Sequence, residues 1–145
     1  MSKDLGLDQC HCSAFRRGAR HIARLYDRHL APQQIKSSQF TLLTAVSYNP
    51  GVQISDLAEI MVMERTTLVR ALKPLIEAGW IESKKASTGR ALSFDLTKEG
   101  RKKAADCFPL WKAAQVEFES TLGDKRAASI RDNNLVVCAA ARAAT

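Results

Sequence analysis

One stretch of the chain, residues 65–76, separates hydrogen-bond donors from apolar side chains when its residues are placed 100° apart around a helix. The apolar face consists of Leu68, Ala71, Leu72 and Leu75. The opposite face carries Thr66, Arg70 and Lys73, and its flanks carry Arg65, Thr67 and Val69. Arginine can bond guanine bidentately, and threonine offers thymine a hydroxyl and a methyl group. We therefore predict base contacts from these arginines and threonines, and a phosphate contact from Lys73.

A second group of donors lies in a predicted β-hairpin. Apolar and polar residues alternate over residues 92–96, an extended stretch begins at Trp80, and turn-forming residues 87–90 lie between them. An arginine at such a tip could reach an adjacent minor groove, where narrow A·T-rich segments attract guanidinium groups. Lysines on the first strand could hold phosphates, which position a protein without specifying sequence. The predicted contacts of this hairpin are Lys84, Lys85, Thr88 and Arg90.

The positive charge of the chain is concentrated around these two groups. Residues 64–103 contain ten basic and five acidic side chains, so this segment supplies +5 of the formal net charge of +7. An anionic partner, duplex DNA, is the interpretation that we favour. Two alternatives remain open at this point. The basic face could be merely solvated, or it could dock an acidic protein, as in a protein-interaction module.

Apolar periodicity predicts the elements that hold these donors. Ser37 or Ser38, Ser55 and Thr97 are candidate N-caps, and Gly79 is placed to end the fourth helix in the left-handed conformation. The connection between the third and fourth helices is short, which gives a helix-turn-helix outline. The predicted helices cover about residues 12–30, 38–48, 54–60, 65–78, 98–118 and 125–144.

The fold class that follows is mainly α, with six helices and a small β-hairpin as a wing. A chain of 145 residues without a repeat or a linker favours one compact body. Prolines 74 and 109 fall inside predicted helices, where each should cause a bend. The start of the chain lacks a secretory or transit pattern, and no apolar run approaches the length of a membrane helix, so we expect a soluble cytoplasmic protein.

Enzymatic motifs are missing from the sequence. It has no glycine-rich phosphate loop, no H-E-x-x-H and no G-x-S-x-G, and all three histidines lie within the first 29 residues. We therefore expect no catalytic activity and no cofactor.

The four cysteines are interpreted as free thiols. Cys10 and Cys12 flank His11, with Arg16 and Arg17 nearby, and this positive field would suit a thiol that senses peroxide. Zinc would need two more ligands, and no second pair of Cys or His residues supplies them, so we expect no metal site. Cys107 and Cys138 fall within apolar helical patterns, where a thiol usually acts as a small buried hydrophobe.

The order of these elements resembles the MarR family of bacterial regulators. The similarity covers nearly the whole chain and is most specific over residues 57–100, in the segments MVMERTTLVRALKPLIEAGWIESK, STGRA and LSFDLTKEG. It implies a homodimer with intertwined terminal helices (residues 8–36 and 100–145) and a winged helix-turn-helix lobe (residues 37–99). It also implies a repressor-like regulator that binds a pseudo-palindromic operator and is released by a small phenolic or aromatic acid.

A site for such an effector can be suggested from the residues. Arg16 and Arg20 on the first helix, with Trp111 on the fifth, could line a pocket for an aromatic carboxylate, because a guanidinium binds a carboxylate bidentately. Ordinary surface arginines and a core tryptophan would give the same pattern.

Overall fold

The computed structural model describes residues 6–85, 89 and 91–143. Within these residues the chain forms six α-helices, three β-strands and one turn of 3-10 helix (Ala31–Gln33). The helices are α1 (His11–Leu30), α2 (Ser37–Tyr48), α3 (Ile54–Met61), α4 (Arg65–Glu77), α5 (Lys98–Leu122) and α6 (Asp124–Ala143). The strands are β1 (Val52–Gln53), β2 (Ile81–Lys85) and β3 (Leu92–Leu96). The predicted fold class, a mainly helical winged helix-turn-helix, is confirmed.

The sheet contains one strand more than the predicted hairpin. Its order is β1-β3-β2, and both pairings are antiparallel. β1 has only two residues, and Val52 lies opposite Phe94. Two residues are too few to show the alternation of apolar and polar side chains that identifies a strand in the sequence. This strand forms because residues 52 and 53 lie beside β3 in the fold. A hydrogen bond from the Gly51 amide to the Asp95 carboxylate (2.7 Å) fixes the start of this strand.

One apolar core joins the helices to the sheet. It includes Leu30 of α1, Leu43 of α2, Leu57 of α3 and Phe94 of β3, all of them buried. The three leucines of α4 and Cys107 of α5 belong to the same core. Burying a leucine side chain contributes roughly 1.5 to 3 kcal/mol, so this shared core orients α4 firmly against its neighbours.

Two of the predicted N-caps are wrong. Ser37 is the first residue of α2, and its amide donates to the carboxylate of Asp27 on α1 (2.7 Å). The amide of Lys36, the residue before that helix, donates to the side chain of Gln39 (3.0 Å). Ser55 lies within α3, which begins at Ile54. A carboxylate ten residues away serves α2 as the cap, which local pattern reasoning could not find.

The other two helix-end predictions are confirmed. The Thr97 hydroxyl accepts a hydrogen bond from the Gly100 amide (2.9 Å) at the start of α5. Gly79 follows α4 with a φ of 72°, the left-handed conformation that glycine adopts at low cost. Both α4 and α5 run through their internal prolines as single helices.

The sheet and the start of α5 meet in a joint that leaves no room for a side chain. A Cβ atom added at Gly100 would lie 1.9 Å from the carbonyl oxygen of Trp80, so the helix can approach the sheet only with glycine there. The Thr97 amide and hydroxyl donate to the carbonyls of Trp80 (3.1 Å) and Gly79 (2.6 Å) respectively. The guanidinium of Arg101 donates to the Leu96 carbonyl (2.7 Å).

Charged side chains tie α1 to α5. Glu117 accepts hydrogen bonds from Arg28 and from His29, the latter at 2.6 Å between Nε2 and Oε2. These two bonds hold the pKa of Glu117 below its ordinary value of 4.5. His29 of α1 therefore has a partner on α5. Among the described helices, none combines the length and the apolar character required to cross a membrane.

Candidate nucleic-acid interface

Helix α4 presents its polar residues to solvent and its leucines to the core. Leu68, Leu72 and Leu75 are almost fully buried. The five predicted contact residues of this helix, Arg65, Thr66, Thr67, Arg70 and Lys73, are all exposed. The division into two faces that the sequence indicated is therefore the one observed.

The turn before α4 sets the direction of this helix. Val62 ends α3 in the left-handed conformation (φ 52°, ψ 47°), which is costly for a β-branched residue. The Met63 amide donates to the Ala58 carbonyl (2.9 Å), closing the turn. Glu64 then precedes α4 in an extended conformation without a side-chain cap, which leaves the first amides of the helix free of a capping side chain. Such amides can hold a phosphate.

Four of the five predicted contact residues on α4 have no partner within the described part of the chain: Arg65, Thr66, Thr67 and Arg70. Lys73 lies 3.8 Å from Glu77 one turn later, and both side chains are mostly exposed. An exposed pair of this kind contributes about 0.3 to 0.5 kcal/mol, so an anionic partner could displace it at little cost. The face is thus cationic, exposed and free to bind.

The two lysines of β2 differ from each other. Lys84 lies 2.7 Å from Glu82, and this hydrogen bond and the opposite charge raise the pKa of Lys84. Lys85 is exposed on the other face of the strand, opposite Leu92. Thr88 and Arg90, the predicted contacts at the tip, lie outside the described residues. Among the predicted hairpin contacts that lie within the described residues, Lys85 is therefore the one whose ammonium group has no carboxylate partner.

Part of the basic segment serves the fold. Arg101 donates to the Leu96 carbonyl, and Lys102 pairs with Asp106 (2.8 Å). Lys103 donates to the Gln33 carbonyl (2.6 Å) and lies 4.8 Å from the centre of the Trp80 ring. These three cations account for much of the charge excess of residues 64–103. None of the three was among the predicted contacts, which lie on α4 and in the hairpin.

A groove of about 780 Å³ lies between α1, α2, α5 and α6. Its aromatic lining consists of Phe15, Tyr26, Phe40, Trp111 and Phe118. Trp111 lines the groove as predicted, whereas Arg16 and Arg20 are exposed on α1 and are not among its lining residues. The structure therefore does not bring the three predicted effector residues together.

The groove also has polar groups that the sequence did not indicate. Arg131 and Glu119 both line it, as does Gln115, which accepts a hydrogen bond from the Tyr26 hydroxyl. Burial and the charge of Glu119 raise the pKa of Tyr26. Arg131 comes from α6, which packs against α5. No local pattern could have assigned it to this groove, because its position depends on how two helices distant in sequence pack.

The four thiols differ in exposure, and Cys138 of α6 is intermediate between the exposed and the buried ones. Cys10 and Cys12 are exposed, and the Cys10 sulfur, at the N-cap of α1, accepts a hydrogen bond from the Ser13 amide (3.5 Å). Arg17, one of the cations expected near these thiols, pairs with Asp8 (2.6 Å). Cys107 is buried, and burial raises the pKa of its thiol. Among the described residues, no group of three or more His, Cys, Asp or Glu side chains is placed to hold a metal ion.

Comparison with known proteins agrees with this geometry. The model of the MarR family matches residues 35–88, which include α2, α3, α4 and β2. The structure of the M. tuberculosis transcriptional regulator MosR in complex with DNA is 31% identical, covers 94% of this chain and 98% of that chain, and superposes with a TM-score of 0.82. This chain belongs to the MarR family.

More distant structures of transcriptional regulators share the fold. CouR from Rhodococcus jostii RHA1, bound to p-coumaroyl-CoA, is 18% identical and covers 93% of this MarR-family chain and 96% of its own, with a TM-score of 0.77. NadR in complex with 4-hydroxyphenylacetate is 19% identical and covers 95% and 96%, with a TM-score of 0.72. A search of curated proteins found no match.

Proposed function

We propose that this MarR-family protein is a repressor-like transcriptional regulator that binds a pseudo-palindromic operator as a homodimer. Two copies of α4 would enter successive major grooves about 34 to 36 Å apart, as in other dimeric helix-turn-helix proteins. Arg65, Thr66, Thr67 and Arg70 would contact bases, and Lys73 and Lys85 would contact phosphates. The proposal includes a cytoplasmic location, where such a regulator would meet duplex DNA.

The observation that supports this proposal is the free cationic face of α4. A helix that exposes two arginines, two threonines and a lysine, while three leucines anchor its other side, has the shape and the donors that a major groove accepts. MosR, the relative with 31% identity, was crystallised in complex with DNA. The proposal assigns no catalytic step to the protein.

Operator selection followed by two substitutions tests the proposal. Genomic fragments bound by the protein give an operator, and its affinity is measured by fluorescence anisotropy at two salt concentrations. Arg70→Ala should cost roughly 1 to 3 kcal/mol and relax the preference at one base pair. Lys73→Ala should weaken binding to all sequences. It should also reduce the slope of log affinity against log salt concentration by about one, because one phosphate contact is lost.

The same titrations contain the outcomes that contradict the proposal. Equal, weak binding to every duplex would favour the alternative in which the basic face docks an acidic protein. Unchanged affinity in both variants would remove α4 from the interface. Melting temperatures equal to wild type would show that neither substitution acts through folding.

Exposed apolar side chains on the terminal helices support the homodimer. Phe15 of α1 and Ile130, Leu135, Val136 and Val137 of α6 are each about half exposed or more. Packing the terminal helices against those of a second copy would remove such side chains from water. Leu135→Asp should shift the protein from dimer to monomer in analytical ultracentrifugation and weaken operator binding. A variant that stays dimeric, with wild-type affinity, would place the interface elsewhere.

A hydroxylated aromatic acid is the effector that the groove supports best. Its five aromatic rings suit a planar ring, and the Glu119 carboxylate can accept a hydrogen bond from a phenol. Arg131 bonds Asp132 through Nε (3.0 Å), and its two terminal nitrogens suit a carboxylate. NadR was crystallised with 4-hydroxyphenylacetate and CouR with p-coumaroyl-CoA, both of which contain a phenol. Binding in the groove would change how α1, α2 and α5 pack and so weaken DNA binding.

Release of the operator by a panel of aromatic acids tests this part. Arg131→Ala should raise the concentration needed for half release, whereas Arg16→Ala and Arg20→Ala should leave it unchanged. The reverse pattern would restore the assignment made from the sequence. If none of the three variants changed the concentration needed for half release, this result would argue against a carboxylate bound in this groove.

Thiol-based redox control is the second candidate function, and the position of Cys10 favours it. Its sulfur lies at the N-terminus of α1, where the helix dipole favours negative charge, and Cys12 is two residues away and exposed. The thiolate of one cysteine would attack one oxygen of hydrogen peroxide, so that the O–O bond breaks, a sulfenic acid forms and the other oxygen leaves as hydroxide. The second thiol would then displace water to form a disulfide.

Peroxide titration of the DNA complex distinguishes the two control mechanisms. If the thiols act as switches, peroxide releases the DNA, dithiothreitol restores it, and Cys10→Ser or Cys12→Ser prevents the release. Cys107→Ser is the matched control, because that thiol is buried. Release that persists in both N-terminal variants would exclude this mechanism.

A further inference from the structure

Val69 is an exposed apolar residue on the flank of the cationic face of α4. It follows Thr66 by three residues and precedes Lys73 by four, so these three side chains are surface neighbours on the helix. Its side chain is 52% exposed, whereas the leucines that anchor the helix are buried. An apolar side chain therefore lies between the donors that we propose to contact DNA.

The fold gives Val69 no compensation for its exposure. It is not among the residues packed in or against the apolar core. Valine is also a weaker helix former than the lysine, glutamate or alanine that an exposed position usually tolerates. Within a helix its χ1 angle is restricted essentially to one rotamer, which holds both methyl groups in a fixed direction. Little side-chain entropy would therefore be lost when these methyl groups meet a partner.

A thymine supplies the partner that such a side chain fits. The 5-methyl group of thymine is the apolar feature of the major groove, and apolar side chains read it by direct contact. We propose that Val69 packs against the 5-methyl group of one thymine in each operator half-site and so determines specificity there. This inference rests on the proposed function, because it requires α4 to enter the major groove.

Replacing thymine by uracil tests the contact by removing one methyl group from the DNA. Each thymine of the selected operator is replaced in turn, in both half-sites together, and the affinity is measured by anisotropy. For wild type we expect one position at which uracil weakens binding about fourfold per half-site, the factor equivalent to about 0.8 kcal/mol for one buried methyl group. For Val69→Ala the thymine-to-uracil ratio at that position should fall close to one.

Two control variants separate Val69 from its neighbours. Val116→Ala removes the same groups from a valine on α5 that is 53% exposed, and its ratio should equal that of wild type. Thr66→Ser removes a methyl group and keeps the hydroxyl, and it should not change the ratio at the position assigned to Val69. Equal melting temperatures for all variants would exclude effects on folding.

The possible outcomes keep this inference distinct from the proposed function. If the full thymine preference remains in Val69→Ala, or is lost in Thr66→Ser instead, Val69 is not the residue that reads the methyl group. If wild type selects an operator but distinguishes thymine from uracil nowhere, the inference is wrong while DNA binding stands. If wild type selects no sequence, the proposed function is wrong and the inference fails with it.

Discussion

Two basic regions of this chain have opposite roles in the structure. On α4, Arg65 and Arg70 are exposed and have no partner within the described residues. At the start of α5, Arg101 and Lys103 donate to the carbonyls of Leu96 and Gln33 and so connect the helix to β3 and to the 3-10 turn after α1. Both regions lie in one basic segment of the sequence. The difference shows that the number of cations does not indicate a binding surface, because carbonyls and carboxylates of the protein itself already occupy some of them.

The largest effect on stability should come from Gly100, where the start of α5 contacts the carbonyl of Trp80. Gly100→Ala places a Cβ atom against the Trp80 carbonyl oxygen, at 1.9 Å in the present geometry, and backbone at such a site cannot move aside cheaply. We expect a loss of about 3 kcal/mol in the free energy of unfolding, measured by urea denaturation.

Gly18→Ala provides the matched control for this prediction. Gly18 lies within α1, and a Cβ atom there would meet nothing within 4 Å. This variant should gain about 0.5 to 1 kcal/mol from helix propensity. If Gly100→Ala were as stable as wild type, the close contact between sheet and helix would not exist in solution.

Arg101→Ala sharpens the comparison between the two regions. Loss of its hydrogen bond to the Leu96 carbonyl should cost about 1 kcal/mol of unfolding free energy, while the operator affinity of the folded protein stays within about twofold of wild type. Arg70→Ala should show the reverse, with weakened DNA binding and unchanged stability. Lys98→Ala, at an exposed position nearby, controls for charge alone. If Arg101→Ala weakened DNA binding as much as Arg70→Ala, the division of roles would be wrong.

Glu82→Gln should free the ammonium group of Lys84 from its ion pair. It removes the carboxylate that raises the pKa of Lys84 and holds its ammonium group, and so it releases Lys84 toward a phosphate. We expect operator binding to tighten about twofold to threefold at low salt, with a steeper salt dependence. Glu77→Gln, which frees Lys73 from a looser pair, should have a smaller effect. Weaker binding in Glu82→Gln would show that Lys84 does not face the DNA.

The smallest effect concerns the pairs that join α1 to α5. Because hydrogen bonds from His29 and Arg28 lower the pKa of Glu117 in the folded state, this carboxylate adds stability above its unfolded pKa of about 4.5. That contribution is lost as the pH falls through the lower, folded pKa. Urea midpoints measured from pH 7 to pH 3 should therefore decline more in wild type than in Glu117→Gln. Parallel curves would show that the pairs do not stabilise the fold.

Much of the fold could be predicted because its signals are local. The split faces of α4, the cap at Thr97 and the left-handed Gly79 all depend on residues within one or two turns of each other. The failures involve contacts between distant segments. Asp27 caps α2, β1 joins β3, and Arg131 of α6 reaches the groove, and none of these contacts is encoded in spacing along the chain.

The candidate site follows the same division. The sequence by itself determined that α4 carries donors opposite leucines, because helical periodicity fixes which residues share a face. Only the tertiary structure decided which cations stay free, since that depends on whether a carbonyl or carboxylate from elsewhere in the chain lies within hydrogen-bond distance. It decided in the same way that Trp111 lines a groove without Arg16 and Arg20, because which face of α1 meets that groove depends on how α1 packs against α5.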